Sequence, residues 1–373
     1  MVLKNLTIVL DKKIIKNGYL FIENGLISKI GEGKYEEEGT DCGGLIAMPG
    51  FIDIHIHGSA GIDFMDATEE DYKTIAESLY KEGVTTFLAT TLTSDKESLA
   101  RVCKTVNNVK DSVPSLGGIH FEGPYINAKY KGAQNEEFIR NPNQKEFDEL
   151  QKLSGNNIKY ITLAPENEGA LDFIEHIHKN GVIVSAGHSD ASFNEVKEAI
   201  KKGLTNTTHT HNAMSPHHHR KPGIVTAAFF FDELFTEFIC DKIHVCPETL
   251  LTSYKIIGPE RFVMITDALK VKNTNINNFK LFGLDCVRKD GAAYLTSGPL
   301  AGSLLTMDQG LRNMHEITGA NLCDLAKISS KNAANSLKFL DRGEILEGKK
   351  ADLVLLDKNL FVKATYKDGK KVY

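Results

Sequence analysis

Six side chains of metal-binding type recur at one kind of place in this sequence, the end of a short apolar run. His55 and His57 close the run that begins at Phe51, Glu122 closes the run from 117, and His188, His209 and Asp267 follow the runs 182–185, 205–208 and 262–265. Residues two apart in a strand point to the same face, so His55 and His57 present both imidazoles to one side. A single histidine or aspartate at a strand end is ordinarily a hydrogen-bonded structural residue. Six of them delivered by five runs are better explained as one site. Four imidazoles and two carboxylates suit a borderline-soft divalent ion, Zn²⁺ or Fe²⁺ ahead of Co²⁺ or Mn²⁺. They suffice for one or two ions with positions left for water. A divalent cation is also the natural partner for Glu122 and Asp267, because a buried unpaired carboxylate is costly.

A second chemistry lies in the loops. Arg220 and Lys221 sit in the stretch 217–223, and His244 follows Asp241 beyond the run 236–239. Arginine and protonated histidine match a phosphate. Lys221 and His217, His218 and His219 read more simply as a solvated basic loop. The segment 298–303 precedes a helical stretch and offers backbone N–H groups to a ligand oxygen.

These residues need a scaffold that brings strand ends together. Apolar runs at 51–56, 85–89, 117–121, 159–163, 182–185, 205–208, 236–239 and 262–265 predict eight strands. Helical spacing fills the gaps at 68–81, 96–109, 147–153, 170–179 and 193–201, and returns at 306–317 and 323–337 after a hairpin-like insertion at 273–296. Eight strands, most followed by a helix, predict an α/β fold, a closed (β/α)₈ TIM-like barrel whose C-terminal rim carries the chemistry. The ends of the chain differ. Short alternating runs at 6–10, 19–23 and 26–30, with Asn-Gly pairs at 17–18 and 24–25, read as strands and tight turns. Runs at 351–356 and 360–366 with Asp-Gly at 368–369 read the same way. Neither end can bury a core alone, so residues 1–49 and 346–373 are expected to join as a small β-sandwich domain beside a catalytic barrel spanning 50–345.

Composition narrows the partners. The chain has 373 residues with 44 basic and 49 acidic side chains, a net charge of -5, which gives no field of one sign to attract nucleic acid or an anionic membrane. No apolar run approaches the ~18 residues of a spanning helix, and the N-terminus lacks the apolar core of a signal peptide. The six cysteines are widely spaced without a CxxC pair, as expected of reduced thiols in a cytoplasmic protein.

The segment 49–58, Pro-Gly-Phe-Ile-Asp-Ile-His-Ile-His-Gly, resembles the first-strand signature of the amidohydrolase superfamily. Further segments at 120–125, 131–133, 187–189, 208–214, 241–245, 266–268 and 300–303 together resemble the family within it that deacetylates N-acetylglucosamine 6-phosphate. The resemblance implies hydrolysis of the N-acetyl group of that amino-sugar phosphate in amino-sugar catabolism or recycling. The galactosamine epimer, or another amidohydrolase reaction on a cyclic amide, is the alternative. It makes Glu122, His188 and His209 the principal metal ligands, with His55 and His57 available to a second ion, and Asp267 the general base and acid. It assigns Asn212, Ala213, Arg220, His244, Leu300, Ala301 and Gly302 to the sugar phosphate and Ala133 to the acetamide side. It also implies a homodimer in which Arg220 and His244 serve the site across the interface. Two positions depart from the family. Gln134 stands where single-metal relatives carry a histidine that polarises the carbonyl, and Lys242 stands where a glycine is usual.

Overall fold

The computed structural model describes residues 1–281 and 283–373. Eight parallel strands, Phe51–Ile56, Val84–Thr91, Leu116–Glu122, Ile158–Leu163, Ile183–Ala186, Leu204–Thr207, Phe235–Ile239 and Phe262–Ile265, are hydrogen-bonded in chain order. Most of their residues are buried on both faces, which is why these runs read as continuously apolar rather than alternating. The ring draws together where Ile56 bridges Ala268. Asp267 N donates to His55 O at 2.8 Å and His57 N donates to Ala268 O at 2.9 Å. The backbone that joins the eighth strand to the first is therefore the backbone that carries three of the six chemical residues.

The expected helices form close to their expected limits, and their ends are capped by local chemistry. Thr68 and Asp71 make a reciprocal capping box on Glu69–Tyr80, Asp95 caps Lys96–Val109, and Ser192 with Glu195 boxes Phe193–Lys202. Two helices were not expected, Ile224–Phe230 and Pro247–Ile257. The expected helix 323–337 is Leu322–Ala326 and Asn332–Ser336 joined by a wider turn at Lys327–Lys331. That widening has a use at the bottom of the barrel. Ser330 Oγ donates to Gly50 O at 3.1 Å, and Asn332 Nδ2 donates to Phe262 O at 2.8 Å, tying the helix to the starts of the first and eighth strands.

Both termini enter one hydrogen-bonded sheet of eight strands, built from Val2–Val9, Ile14–Glu23, Leu26–Glu32, Thr40–Asp41, Ile46–Pro49, Leu353–Leu356, Val362–Lys367 and Lys370–Lys371. The layers expected of a sandwich are parts of this continuous sheet, which curls until Ala351 N donates to Gly25 O and Ile27 N to Lys349 O. Leu353 and Leu355 face its own core while Val354 and Leu356 face the barrel core, so one strand joins two apolar clusters by simple alternation. The Asn17-Gly18 pair is not a turn. It lies inside Ile14–Glu23 where the register slips between Leu6 and Ile8, and Asn17 takes a positive φ of 56° as part of that irregularity. The insertion at 273–296 extends into a four-stranded antiparallel sheet of Asn278–Leu281, Leu284–Lys289, Ala292–Leu295 and Leu300–Ser303. All six cysteines are free. Among the described residues no helix is long and apolar enough to cross a membrane.

Candidate active site

The barrel rim gathers the six strand-end residues into two touching groups, His55, His57 and Asp267 in one and Glu122, His188 and His209 in the other. His188, His209 and Asp267 each stand two residues past the end of their strand with φ of 47°, 30° and 48°. A positive φ costs a non-glycine residue about 1–3 kcal/mol, and such strain persists where the surroundings over-determine it. For Asp267 those surroundings are plain: its N–H is held by His55 O, and its carbonyl accepts Ser303 N at 2.8 Å. Beneath it Gly302 allows the close approach, since a Cβ there would lie 2.9 Å from Leu269 Cγ and 3.1 Å from Asp267 O.

In the second group the donor atoms converge on one point. Glu122 Oε1 lies 3.0 Å from His188 Nε2 and 3.1 Å from His209 Nε2, and the two ring nitrogens are 3.0 Å apart. His188 Nδ1 donates to Tyr130 O at 2.8 Å, which leaves its Nε2 as a lone pair facing the group. Three donor atoms at this separation are what a cation draws together, and the donor set is one that holds Zn²⁺-like ions in a three-ligand site with an open position. The other Glu122 oxygen, Oε2, accepts from Gln134 Nε2 at 2.6 Å and lies 3.2 Å from His57 Nε2.

The first group has the same need. His57 Nε2 is 3.1 Å from Asp267 Oδ1. His55 gives its Nδ1 proton to Glu237 Oε2 at 3.2 Å, and its buried Nε2 finds no hydrogen-bond partner, with Glu122 Oε1 at 3.4 Å and Asp267 Oδ1 at 3.5 Å. Burial opposes charge on both carboxyls. The imidazoles of His55 and His188 nonetheless hold Glu122 well below the usual range, and those of His55 and His57 hold Asp267 below it. The same coupling lifts His55 well above its ordinary value against the burial that would lower it. The cluster demands positive charge, and a divalent ion meets that demand while its ligands stay deprotonated.

One cavity lies over both groups. It encloses about 590 Å³ of space, counted out to its open mouth. Glu122, His188, His209, His57 and Asp267 line it, and so do Ala133, Asn212, Ala213, Leu300, Ala301 and Gly302. His55 lies behind them, fully buried. His244 lines the cavity of its own chain, so the expectation that it reaches the site from a partner subunit is corrected: it sits on the loop after Phe235–Ile239, at the same rim as the metal-type residues. Arg220 is not brought to the cavity; it is exposed on its loop, with Nη1 2.7 Å from His219 Nε2.

Three contributors were not singled out for these contacts. Gln134 is fixed with its carbonyl oxygen accepting Thr93 N at 2.7 Å, so the amide must face Glu122 as a donor. Glu237, fully buried, binds His55, the His209 backbone N–H at 3.2 Å and the Tyr160 hydroxyl at 2.6 Å. A charged residue inside an otherwise apolar barrel run was the available signal. Asp241 receives the His244 ring at 2.6 Å. His120 is a packed structural residue: burial and then the nearby His55 charge push it well below its ordinary value, and its ring nitrogens meet Ile54 O and the Thr162 hydroxyl at 3.1 and 2.8 Å.

Comparison with known proteins agrees with this geometry. The amidohydrolase family pattern matches residues 46–372. An N-acetylglucosamine-6-phosphate deacetylase of Lysinibacillus sphaericus is 37% identical over 99% of this chain and 97% of its own length. An N-acetylgalactosamine-6-phosphate deacetylase of Escherichia coli O157:H7 is 32% identical over 88% of each. The structure of an aspartate-to-alanine variant of the Mycobacterium smegmatis N-acetyl-D-glucosamine-6-phosphate deacetylase, in complex with N-acetyl-D-glucosamine 6-phosphate, superposes with a TM-score of 0.96. It is 29% identical and covers 100% of this chain and 99% of that one.

Proposed function

The chain belongs to the amidohydrolase family, and from that premise we propose that it hydrolyses the N-acetyl group of N-acetyl-D-glucosamine 6-phosphate to D-glucosamine 6-phosphate and acetate. The observation that carries this reading is one small-molecule cavity lined by both the metal-type cluster and His244, Asn212 and the 300–302 backbone. The near full-length relatives named for this deacetylation support it.

A divalent ion held by Glu122, His188 and His209 would make hydroxide available at neutral pH and polarise the acetyl carbonyl. Zn²⁺ or Fe²⁺ suits these donors ahead of Co²⁺ or Mn²⁺, and His55, His57 and Asp267 offer a place for a second ion. Asp267 takes the proton of the attacking water and returns it to the amine nitrogen as the C–N bond breaks. Its two backbone anchors fix the main chain from which that carboxylate projects. Ala133 borders the acetamide side, while Asn212, Ala213, Leu300, Ala301, Gly302 and His244 hold the sugar phosphate. The remote phosphate supplies binding energy that orients the reacting amide.

A homodimer in which Arg220 serves the neighbouring copy's phosphate accounts for an arginine left exposed on its loop, out of contact with the cavity of its own chain. Six free cysteines suit a reducing compartment, which favours the cytoplasm.

The test is acetate release by the metal-loaded protein from N-acetylglucosamine 6-phosphate, the unphosphorylated sugar and N-acetylgalactosamine 6-phosphate. The reading expects the first to have the highest kcat/KM. Equal rates with and without phosphate, or a preference for the galactosamine epimer, would contradict it.

A further inference from the structure

Asp241 spends its whole carboxylate on the loop that follows it. Oδ1 accepts the backbone N–H groups of Ile243 and His244, each at 2.8 Å, and Oδ2 meets His244 Nδ1 at 2.6 Å. Both side chains are 5% exposed. Because the ring nitrogen facing the carboxylate carries the proton, Nε2 is the atom left for the cavity that His244 lines. The carboxylate also favours the charged ring. Burial is the largest single influence and opposes that charge, but the hydrogen bond to Asp241, the Asp241 charge and a smaller attraction from Asp267 together raise His244 above its ordinary value. The turn holds despite an unfavourable residue. Lys242 occupies a φ of 68° where the family usually has glycine, and the two amide bonds to Asp241 Oδ1 span it.

We propose that Asp241 is the positioning residue that presents Nε2–H of His244 to the substrate phosphate and thereby sets the preference for the 6-phosphorylated over the free sugar. This rests on the reading of His244 as a phosphate ligand. Asp241→Asn separates charge from shape. The asparagine oxygen must stay under the two backbone N–H groups, so its NH₂ faces His244 Nδ1, which then accepts. The ring keeps its place and an Nε2–H, but its charged form loses its support. A charge-assisted hydrogen bond is roughly twice as strong as a neutral one, so the loss should be about tenfold.

The experiment measures kcat and KM for N-acetylglucosamine 6-phosphate and for N-acetylglucosamine with wild type, D241N, H244Q and the double variant. The expected result is that D241N lowers the ratio of the two kcat/KM values about tenfold, carried by KM for the phosphorylated sugar, and adds nothing in the H244Q background. If H244Q loses the preference and D241N keeps it, Asp241 does not act as proposed although His244 does. If D241N adds a full further loss to H244Q, it acts by another route and the proposal fails. If H244Q keeps the preference, the reading of His244 fails and the proposal with it. Should D241N not fold, D241S keeps an acceptor for the turn amides, offers nothing to Nδ1, and is scored by the same outcomes.

Discussion

The two halves of the cavity are built by different means. The metal-type half comes from residues inside strands or within two of a strand end, almost wholly buried and locked to one another across the barrel at about 3 Å. The half proposed to hold the phosphate comes from outside the barrel strands: His244 is held by its own turn and the 300–302 segment by an inserted sheet, while Arg220 makes no contact with the cavity. Strand ends are positioned by a fold that many side chains share, whereas each loop residue depends on one or two local bonds. Loss of a single contact should therefore be severe in the first half and graded in the second.

The largest effect is expected at Glu122, which all four metal-type imidazoles approach within 3.4 Å. Glu122→Ala should strip bound metal and lower kcat/KM by on the order of 10³-fold or more. Elemental analysis beside the acetate assay checks this, and a variant with full metal and near-native rate would erase the distinction between the halves. Gln134 touches the cluster through Glu122 rather than as a ligand. Gln134→Ala should weaken metal affinity or rate by about 10–100-fold, the usual range for an outer partner of a ligand, readable by metal titration of the apo protein. For the loop half, Arg220→Ala should raise KM for the phosphorylated sugar with little change in kcat. Co-expressed with an Asp267→Asn chain it should recover up to about a quarter of the wild-type kcat/KM, because in a two-fold dimer each mixed pair contains one intact site. No recovery would mean that Arg220 does not act between copies. The smallest effect is expected at Lys242, whose left-handed backbone glycine would adopt freely. Lys242→Gly should stabilise the protein by at most about 1 kcal/mol and leave KM within twofold, as measured by thermal melting and steady-state kinetics.

The same division decides how much was legible in the sequence. His55, His57, Glu122, His188, His209 and Asp267 could be placed because each follows an apolar run, and eight such runs have one common closed solution. His244 was recognised, but not that it lines the cavity of its own chain, because a loop's direction depends on a turn that spacing does not encode. Gln134 and Glu237 act through contacts across the barrel, with Glu122 twelve residues away and His55 182 residues away, beyond any local pattern. The helix Ile224–Phe230 escaped because Ala227, Ala228, Phe229 and Phe230 leave no polar face for helical periodicity to reveal. Asn17-Gly18 misled for a physical reason too: the dipeptide relieves a positive φ wherever one occurs, in a strand irregularity as readily as in a turn.

The central claim, that Asp267 moves the proton for an amide hydrolysis whose metal is held by Glu122, His188 and His209, is tested most directly by one paired measurement on Asp267→Asn. Metal content per chain and acetate release from N-acetylglucosamine 6-phosphate are read on the same preparation. The ion at the Glu122, His188 and His209 group should be kept while kcat falls by about 10²–10⁴-fold, the range of a lost general acid and base. A variant that keeps its metal and turns over within a few-fold of wild type would contradict it.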